Sequence, residues 1–186
     1  LILGPQRRMA IRVASAYRTA PTDAILVVAG FTPVHLAARG RTDARRLWNN
    51  AYGLDKREAK RLAEERITNW WQTEWEEQTK TGEWTRRLIP TVSKWVNRKH
   101  GRIGYHLTQF LIGHGCFQSY LHRFARVDSA ECVSCGDEKD DAEHTFFVCG
   151  RWAAKKRELE FMLGEDFTPD TAVSLMLRDR PSWEMI

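Results

Sequence analysis

The feature that most constrains the fold of this chain is a set of three cysteines and one histidine in its last third. Cys132, Cys135, His144 and Cys149 follow the spacing C-x2-C-x8-H-x4-C. Two cysteines separated by two residues can bind one ion from a tight turn, and thiolate and imidazole groups are the usual ligands of tetrahedral zinc. Because four protein ligands leave no open coordination position, the pattern predicts one structural Zn2+.

The residues between the ligands fit such a site. Gly136 permits the backbone to fold back after the second cysteine, and Asp140 and Asp141 are expected to cap a short helix that carries His144. Two alternatives are a chance grouping of the four residues and a disulfide. A disulfide would leave one of the three cysteines unpaired, and nothing else in the sequence is typical of a secreted protein. Zinc is therefore the favoured interpretation.

Length and charge set broad limits. The chain has 186 residues, 29 Lys and Arg against 24 Asp and Glu, and a formal net charge of +5. A chain of this size forms one large domain or two small ones, and it begins with Leu1, so we expect it to be a segment of a longer protein. The longest apolar run, Ala24–Phe31, is too short to span a membrane. Free thiols predict a reducing, intracellular location, in the cytoplasm and nucleus.

Apolar residues recur with helical spacing throughout, and no stretch alternates apolar and polar residues as a strand would. Asp55 followed by Glu58 predicts a capping box that starts a long helix. The sequence therefore predicts an all-α, irregular multi-helix domain with a small C-terminal CCHC zinc knuckle, divided into segments 1–48, 49–127 and 128–186. The first predicted helix begins at residue 5 and ends before Pro21, and a short last one begins at residue 181. The helices predicted between them span residues 23–29, 34–48 with an interruption at 39–41, 55–79, 84–89, 92–98, 105–112, 117–124, 151–163 and 168–177.

Tryptophan is unusually frequent. Of the eight tryptophans, five lie between residues 70 and 95, and three of these fall on the apolar stripe of the predicted long helix. Such residues supply large buried surfaces, so we expect them to pack in the core and not to stack on nucleic-acid bases.

Several strings resemble the segment that follows the polymerase core in insect non-LTR retrotransposon reverse transcriptases. The resemblance covers essentially the whole chain and is strongest at residues 5–33 and 84–152. The zinc-ligand set is similar to the C-terminal CCHC knuckle of that family. The matching strings are Gln6–Val13, Ser15–Thr19, Ala24–Gly30 with Pro33, Trp84-Thr85, Leu88–Pro90, Leu107–Gln109, Gly113–Phe117 and Tyr120-Leu121.

The resemblance implies a function. Residues 1–48 would form the helical thumb, with the absent palm packing against residues 1–33. The whole protein would be an RNA-directed DNA polymerase that copies RNA into DNA at a nicked target. This segment would position template RNA or target DNA. It has no Tyr-x-Asp-Asp-like string and no endonuclease motif, so we expect no catalytic centre in it.

Basic residues are the candidate nucleic-acid contacts, because each phosphate neutralised by a cation releases counterions. Residues 86–102 contain six Lys and Arg and no acidic residue. Phe146, Phe147 and Trp152 are candidates for base stacking. The alternatives are a solvated helix face for the cations and a small core under the zinc for the aromatic residues. The predicted contacts are Arg86, Arg87, Lys94, Arg98, Lys99, Arg102, Arg123, Arg126, Arg151, Lys155 and Lys156.

Two other functions fit the sequence less well. The chain could be a domesticated adaptor derived from such an element, in which a helical surface binds a protein and zinc only stabilises the fold. His114 and Cys116 could form a nucleophile and base pair, although a small residue at a tight turn explains Cys116 more simply.

Overall fold

Eleven α-helices and two shorter helical turns make up the described part of the chain. The computed structural model describes residues 3–50, 53–78 and 80–186. In these ranges there is no β-strand, and no helix is both long and apolar enough to cross a membrane. The all-α prediction is confirmed. The helices are α1 (Leu3–Val13), α2 (Thr22–Ala29), α3 (Val34–Asn50), α4 (Lys56–Glu77), α5 (Glu83–Leu88), α6 (Val92–Val96), α7 (Tyr105–Ile112), α8 (Gln118–Arg123), α9 (Ala153–Leu163), α10 (Pro169–Arg178) and α11 (Arg180–Met185), with a π-helical turn at His144–Val148 and a 3-10 turn at Gly150–Trp152.

Most helix boundaries follow local chemistry that is visible in the sequence. Asp55 caps α4 by accepting the backbone N–H groups of Arg57 and Glu58, and Glu58 accepts the N–H of Asp55 in return. The predicted end of that helix at residue 79 lies outside the described residues. The first helix ends at Val13, earlier than predicted, because Ser15 adopts a positive φ of 53° and turns the chain.

The predicted interruption at residues 39–41 is wrong, because α3 runs through Gly40 without a break. A Cβ atom at Gly40 would lie 2.2 Å from Cδ1 of Ile67 on α4. The glycine therefore allows α3 and α4 to approach closely.

One buried core joins most of the helices. It takes residues from α1, α2, the start of α3, the C-terminal half of α4, α5, α6, α7, the end of α9 and α10, so all three predicted segments contribute to it. Trp71, Trp75 and Trp95 are each at most 5% exposed. The indole N–H of Trp75 donates to Ile89 O, and that of Trp95 donates to Val28 O. These three tryptophans are packing residues, as predicted.

The corner between α7 and α8 depends on two glycines with positive φ. Gly113 (φ 65°) ends α7, and Gly115 (φ 142°) packs directly on the side chain of Gln109. A Cβ at Gly115 would lie 1.9 Å from Oε1 of this buried glutamine.

We expect Gly115→Ala to lower the free energy of unfolding by about 1–3 kcal/mol, because it adds both backbone strain and a clash with Gln109. Gly104→Ala is the matched control, since its Cβ would meet no atom within 4 Å. Urea denaturation of the two variants measures the difference. Equal stability of the two would contradict the assigned packing.

Candidate metal centre and basic groove

The Cys132–Cys135 segment forms a compact turn. The N–H of Cys132 donates to Asp137 O, and the N–H of Gly136 donates back to Cys132 O, each at 2.8 Å. Gly136 has a φ of 77°, which a residue with a side chain rarely adopts. This turn presents both thiols on one side, as the C-x2-C spacing predicts.

The four predicted ligands meet at one point. The Sγ atoms of Cys132 and Cys149 are 3.8 Å apart, those of Cys149 and Cys135 are 3.9 Å apart, and Cys135 Sγ is 3.3 Å from His144 Nε2. All four ligand atoms lie within 4.8 Å of one another. A tetrahedral ion with metal–sulfur bonds of about 2.3 Å requires sulfur–sulfur distances of about 3.8 Å. The cluster can therefore hold one metal ion, and the cysteines are free thiols that form no disulfide.

Backbone groups stabilise the first thiolate. The N–H groups of Ser134 and Cys135 lower the pKa of Cys132 to about 7, against an opposing effect of burial. The N–H of Asp137 acts in the same way on Cys135, but desolvation and the neighbouring Cys132 and Cys149 sulfurs outweigh it and raise the pKa of Cys135. Crowded thiols of this kind are stabilised as thiolates when a cation binds between them.

His144 is held in the orientation that a ligand needs. Asp141 accepts the backbone N–H of His144 at 2.9 Å, as the predicted capping role requires. The carboxylate of Asp137 lies 3.6 Å from Nδ1. The opposite nitrogen, Nε2, faces the Cys135 thiol at 3.3 Å and is therefore the ring atom positioned to bind the ion.

Polar and aromatic contacts attach this region to the helical body. The Asp140 carboxylate accepts the N–H of Gln118 at the start of α8, and it also accepts the hydroxyl of Thr145. Phe147 packs between Trp84, Phe110 and Phe167 with ring-centroid distances of 5.0–6.2 Å. Phe147 is therefore a core residue, in agreement with the alternative to base stacking.

Several predicted nucleic-acid contacts are already bound within the protein. Arg86 donates to Trp75 O and Thr81 O and lies 3.8 Å from Asp23. Arg87 binds Asp170 and Glu143, and these carboxylates raise the pKa of Arg87. Lys156 donates to Phe147 O and lies 3.6 Å from Glu160.

Arg98 packs against tryptophan rings. Its guanidinium is 4.3 Å from the centre of the Trp95 ring and 5.7 Å from that of Trp183, and it donates to Trp95 O at 2.7 Å. Desolvation lowers its pKa. This environment is that of a structural arginine.

The remaining predicted cations are exposed. Among the described residues none of them forms an ion pair. Arg151 lies over the Trp152 ring at 4.8 Å, and Arg123 lies over Phe124 at 5.8 Å. These cations are Lys94, Lys99, Arg102, Arg123, Arg126, Arg151 and Lys155.

Two of these exposed cations, from distant parts of the sequence, line one open groove. The groove has a volume of about 850 Å³ and lies between the start of α7, the π-helical turn, α9 and α11. Its charged lining consists of three basic residues and one acidic residue, which are Arg102, Lys155, Lys156 and Glu158. Its aromatic lining includes Tyr105 (46% exposed), Phe146 (41%) and Trp152 (37%). We call this the basic groove. A second cleft of about 800 Å³ adjoins it, since Arg102 and Trp183 line both.

The sequence does not predict this groove, because its lining comes from segments that lie far apart in the chain. Met162 is 52% exposed and lines the groove with Leu159, and Leu163 takes the buried position on α9. The pattern of apolar residues on α9 does not distinguish the face toward the core from the face toward an open groove.

The helical fold and the Cys3His cluster define an all-α protein with a knuckle-like turn that could hold a metal ion. It is 31% identical over 165 residues to a 115 kDa protein in the type-1 retrotransposable element R1DM of Drosophila melanogaster, covering 80% of this chain. It is 28% identical to retrovirus-related Pol polyproteins from elements R1 2 and R1 4 of Nasonia vitripennis, covering 73% and 82% of it. Homologues of this chain are thus insect R1 non-LTR retrotransposon polyproteins.

These relatives are longer proteins. The chain spans 16% of the Drosophila protein and 36% and 42% of the two Nasonia polyproteins. The resemblance to insect non-LTR retrotransposons is confirmed, and the matching region is a segment of a polyprotein. No family model matches the chain. No solved structure matches it either.

Proposed function

We propose that this chain is a zinc-stabilised, nucleic-acid-binding segment of a retrotransposon polyprotein. In this proposal it positions template RNA or target DNA for reverse transcription primed at the target site. The polymerase chemistry belongs to another part of the parent protein, an RNA-directed DNA polymerase.

Zinc is the ion that the donor set favours. Cys132, Cys135 and Cys149 supply three soft sulfur ligands, and His144 supplies one imidazole nitrogen. Magnesium and calcium prefer oxygen ligands, whereas thiolate and imidazole in tetrahedral geometry suit zinc. The ion would hold the turn and the π-helical segment together, with all four positions filled by protein.

The observation that carries the nucleic-acid proposal is the basic groove. Arg102 comes from the loop before α7 and Lys155 comes from α9, yet both line the same groove as Phe146 and Trp152. Cations that contact phosphates and exposed rings that stack on bases are the two components of single-strand binding sites. A groove that offers both favours a single strand of RNA or DNA.

His114, the base of the alternative nucleophile and base pair, is poorly suited to covalent chemistry. His114 donates to or accepts from the Thr19 hydroxyl at 3.1 Å and stacks on Tyr120. Burial, reinforced by Arg123, lowers the pKa of His114 to about 4, so the ring is a weak base at neutral pH. This supports a positioning role for the segment.

The thumb assignment and the cellular setting are parts of the same proposal. On α1, Met9 and Val13 are 59% and 60% exposed, so an apolar surface is available there for the rest of the polyprotein. The proposed location is the cytoplasm and nucleus, which free thiols and a nucleic-acid partner support.

We expect Arg102→Gln combined with Lys155→Gln to weaken binding of single-stranded RNA or DNA about tenfold at 0.1 M salt. The slope of log affinity against log salt should fall by about 1.4, since each lost phosphate contact removes about 0.7. Fluorescence anisotropy with a labelled single-stranded oligonucleotide measures both quantities in the intact chain.

Lys60→Gln with Arg61→Gln is the matched control, because it removes two charges that already pair with Glu64 and Glu65. An equal loss in the control would show that only total charge matters and would contradict a groove site. Absence of binding to any nucleic acid at low salt would overturn the proposal and favour the protein-interaction adaptor.

A further inference from the structure

A second basic surface lies on the hairpin formed by α3 and α4. Beyond Leu36 and before Ile67, no described residue of these helices belongs to the buried core. The part of α3 that follows Leu36 is about 20 Å long. Its buried contacts are with the other helix, where Ala59 and Ala63 of α4 face α3 beside Gly40. We call residues 37–66 the basic hairpin.

The acidic residues of the basic hairpin are already engaged. The sequence from 39 to 66 holds nine Lys and Arg and five Asp and Glu. Asp43 pairs with Arg66, and Glu64 and Glu65 pair with Lys60 and Arg61. The remaining two, Asp55 and Glu58, cap α4.

Several arginines on α3 have no acidic partner among the described residues. Arg41, Arg45 and Arg46 are exposed and form no ion pair with any described residue. Arg41, Arg45 and Trp48 recur at the i, i+4 and i+7 positions and so share one face of the helix. Trp48 is 50% exposed. A bare cationic face that also presents an aromatic ring differs from the paired charges of a solvated helix, such as those on α4.

The shape of this surface selects its ligand. Neither the basic groove nor the cleft beside it draws a lining residue from the described part of the basic hairpin. The arginine face is the exposed outer side of an α-helix in a two-helix rod, and such a surface is convex. Two packed helices are roughly 20 Å wide, too wide for the DNA major groove of about 12 Å. Such a rod can instead lie across the phosphates of a double helix.

We propose that the basic hairpin binds the backbone of double-helical nucleic acid through Arg41 and Arg45, independently of sequence. This surface is separate from the basic groove, which takes a single strand. The segment would then hold a duplex on α3 and an adjoining single strand near α9. The inference goes beyond the proposed function and shares only its nucleic-acid partner.

We expect Arg41→Gln with Arg45→Gln to lower the salt slope for a random-sequence DNA duplex by about 1.8 and its affinity at 0.1 M salt at least about tenfold. Binding of a single-stranded oligonucleotide should change less than twofold. The control Lys60→Gln with Arg61→Gln lies on the same hairpin, removes the same charge and should retain most duplex binding. Circular dichroism of each variant checks that helicity is unchanged.

The outcomes separate this inference from the proposed function. An unchanged duplex slope in the arginine variant, or no duplex binding by the wild-type chain, overturns the hairpin site and leaves the groove proposal intact. Equal loss in the control variant also overturns it, since total charge would then explain the binding. Loss confined to single strands in the Arg102 and Lys155 variant, with duplex binding retained, supports two separate surfaces.

Discussion

Removal of the metal ion is expected to unfold the region around residues 128–152 while the rest of the helical body stays folded. The same result is expected for Cys135→Ser, which removes one of the four ligands. In this region the buried side chains are Cys132, Ala142, His144 and Cys149, and three of these four are ligands. Apart from Phe147, which packs against the main core, little apolar surface would remain there without an ion to offset the entropy of ordering the chain.

The sequence alone predicts loss of order from residue 128 to residue 165. The packing of α9 shortens the region that we expect to unfold. Leu163 at the end of this helix is 5% exposed in the main core, and its carbonyl accepts a hydrogen bond from Arg178. We therefore expect the backbone amides at the end of α9 to remain protected from hydrogen exchange. Hydrogen exchange measured by mass spectrometry, with and without a chelator, locates the boundary.

Cys116→Ser is the matched control for this experiment, since Cys116 is an exposed free thiol outside the cluster. Elemental analysis should give one zinc per wild-type chain and per Cys116→Ser chain. Unchanged exchange at residues 128–152 after confirmed metal removal would contradict a stabilising role for the ion. A stoichiometry of zero in freshly purified protein would contradict the site itself.

Features that depend on short-range chemistry could be predicted from the sequence. The spacing of the four ligands, the Asp55 capping box and the glycine corner at residues 113–115 each involve groups a few residues apart. Their geometry follows from the turn or helix that contains them. The all-α class follows in the same way from the period of the apolar residues.

Features that depend on two distant segments could not be predicted. Gly40 was expected to interrupt a helix, because the sequence does not show that Ile67 packs against it. Arg87 belongs to a run without acidic residues, yet its partners Glu143 and Asp170 come from other parts of the chain. Local charge therefore identified basic residues correctly but not which of them remain free to bind a ligand.

Arg98 and Arg102 provide the sharpest test of that distinction. From the sequence, charge reversal at both residues is expected to weaken nucleic-acid binding with little loss of stability. In the structure the two arginines have different environments. Arg98 is packed on Trp95 and donates to its carbonyl, whereas Arg102 is exposed and lines the basic groove.

We expect Arg98→Glu to lower the free energy of unfolding by about 2–4 kcal/mol. The new carboxylate would be partly desolvated and would face the Trp95 carbonyl, which can only accept hydrogen bonds. Arg102→Glu makes the same change of charge four residues later and should alter stability by less than about 0.5 kcal/mol. It should nevertheless weaken single-strand binding, because it places a negative charge in the basic groove.

Urea denaturation and anisotropy on both variants separate stability from binding. Conservative replacement provides a further check, since Arg98→Lys keeps the charge but loses the guanidinium contact with the Trp95 ring and should still destabilise the chain. If Arg98→Glu left stability unchanged and reduced binding as much as Arg102→Glu, Arg98 would be a ligand contact. The cleft that Arg98 lines would then extend the nucleic-acid site from the basic groove toward α2.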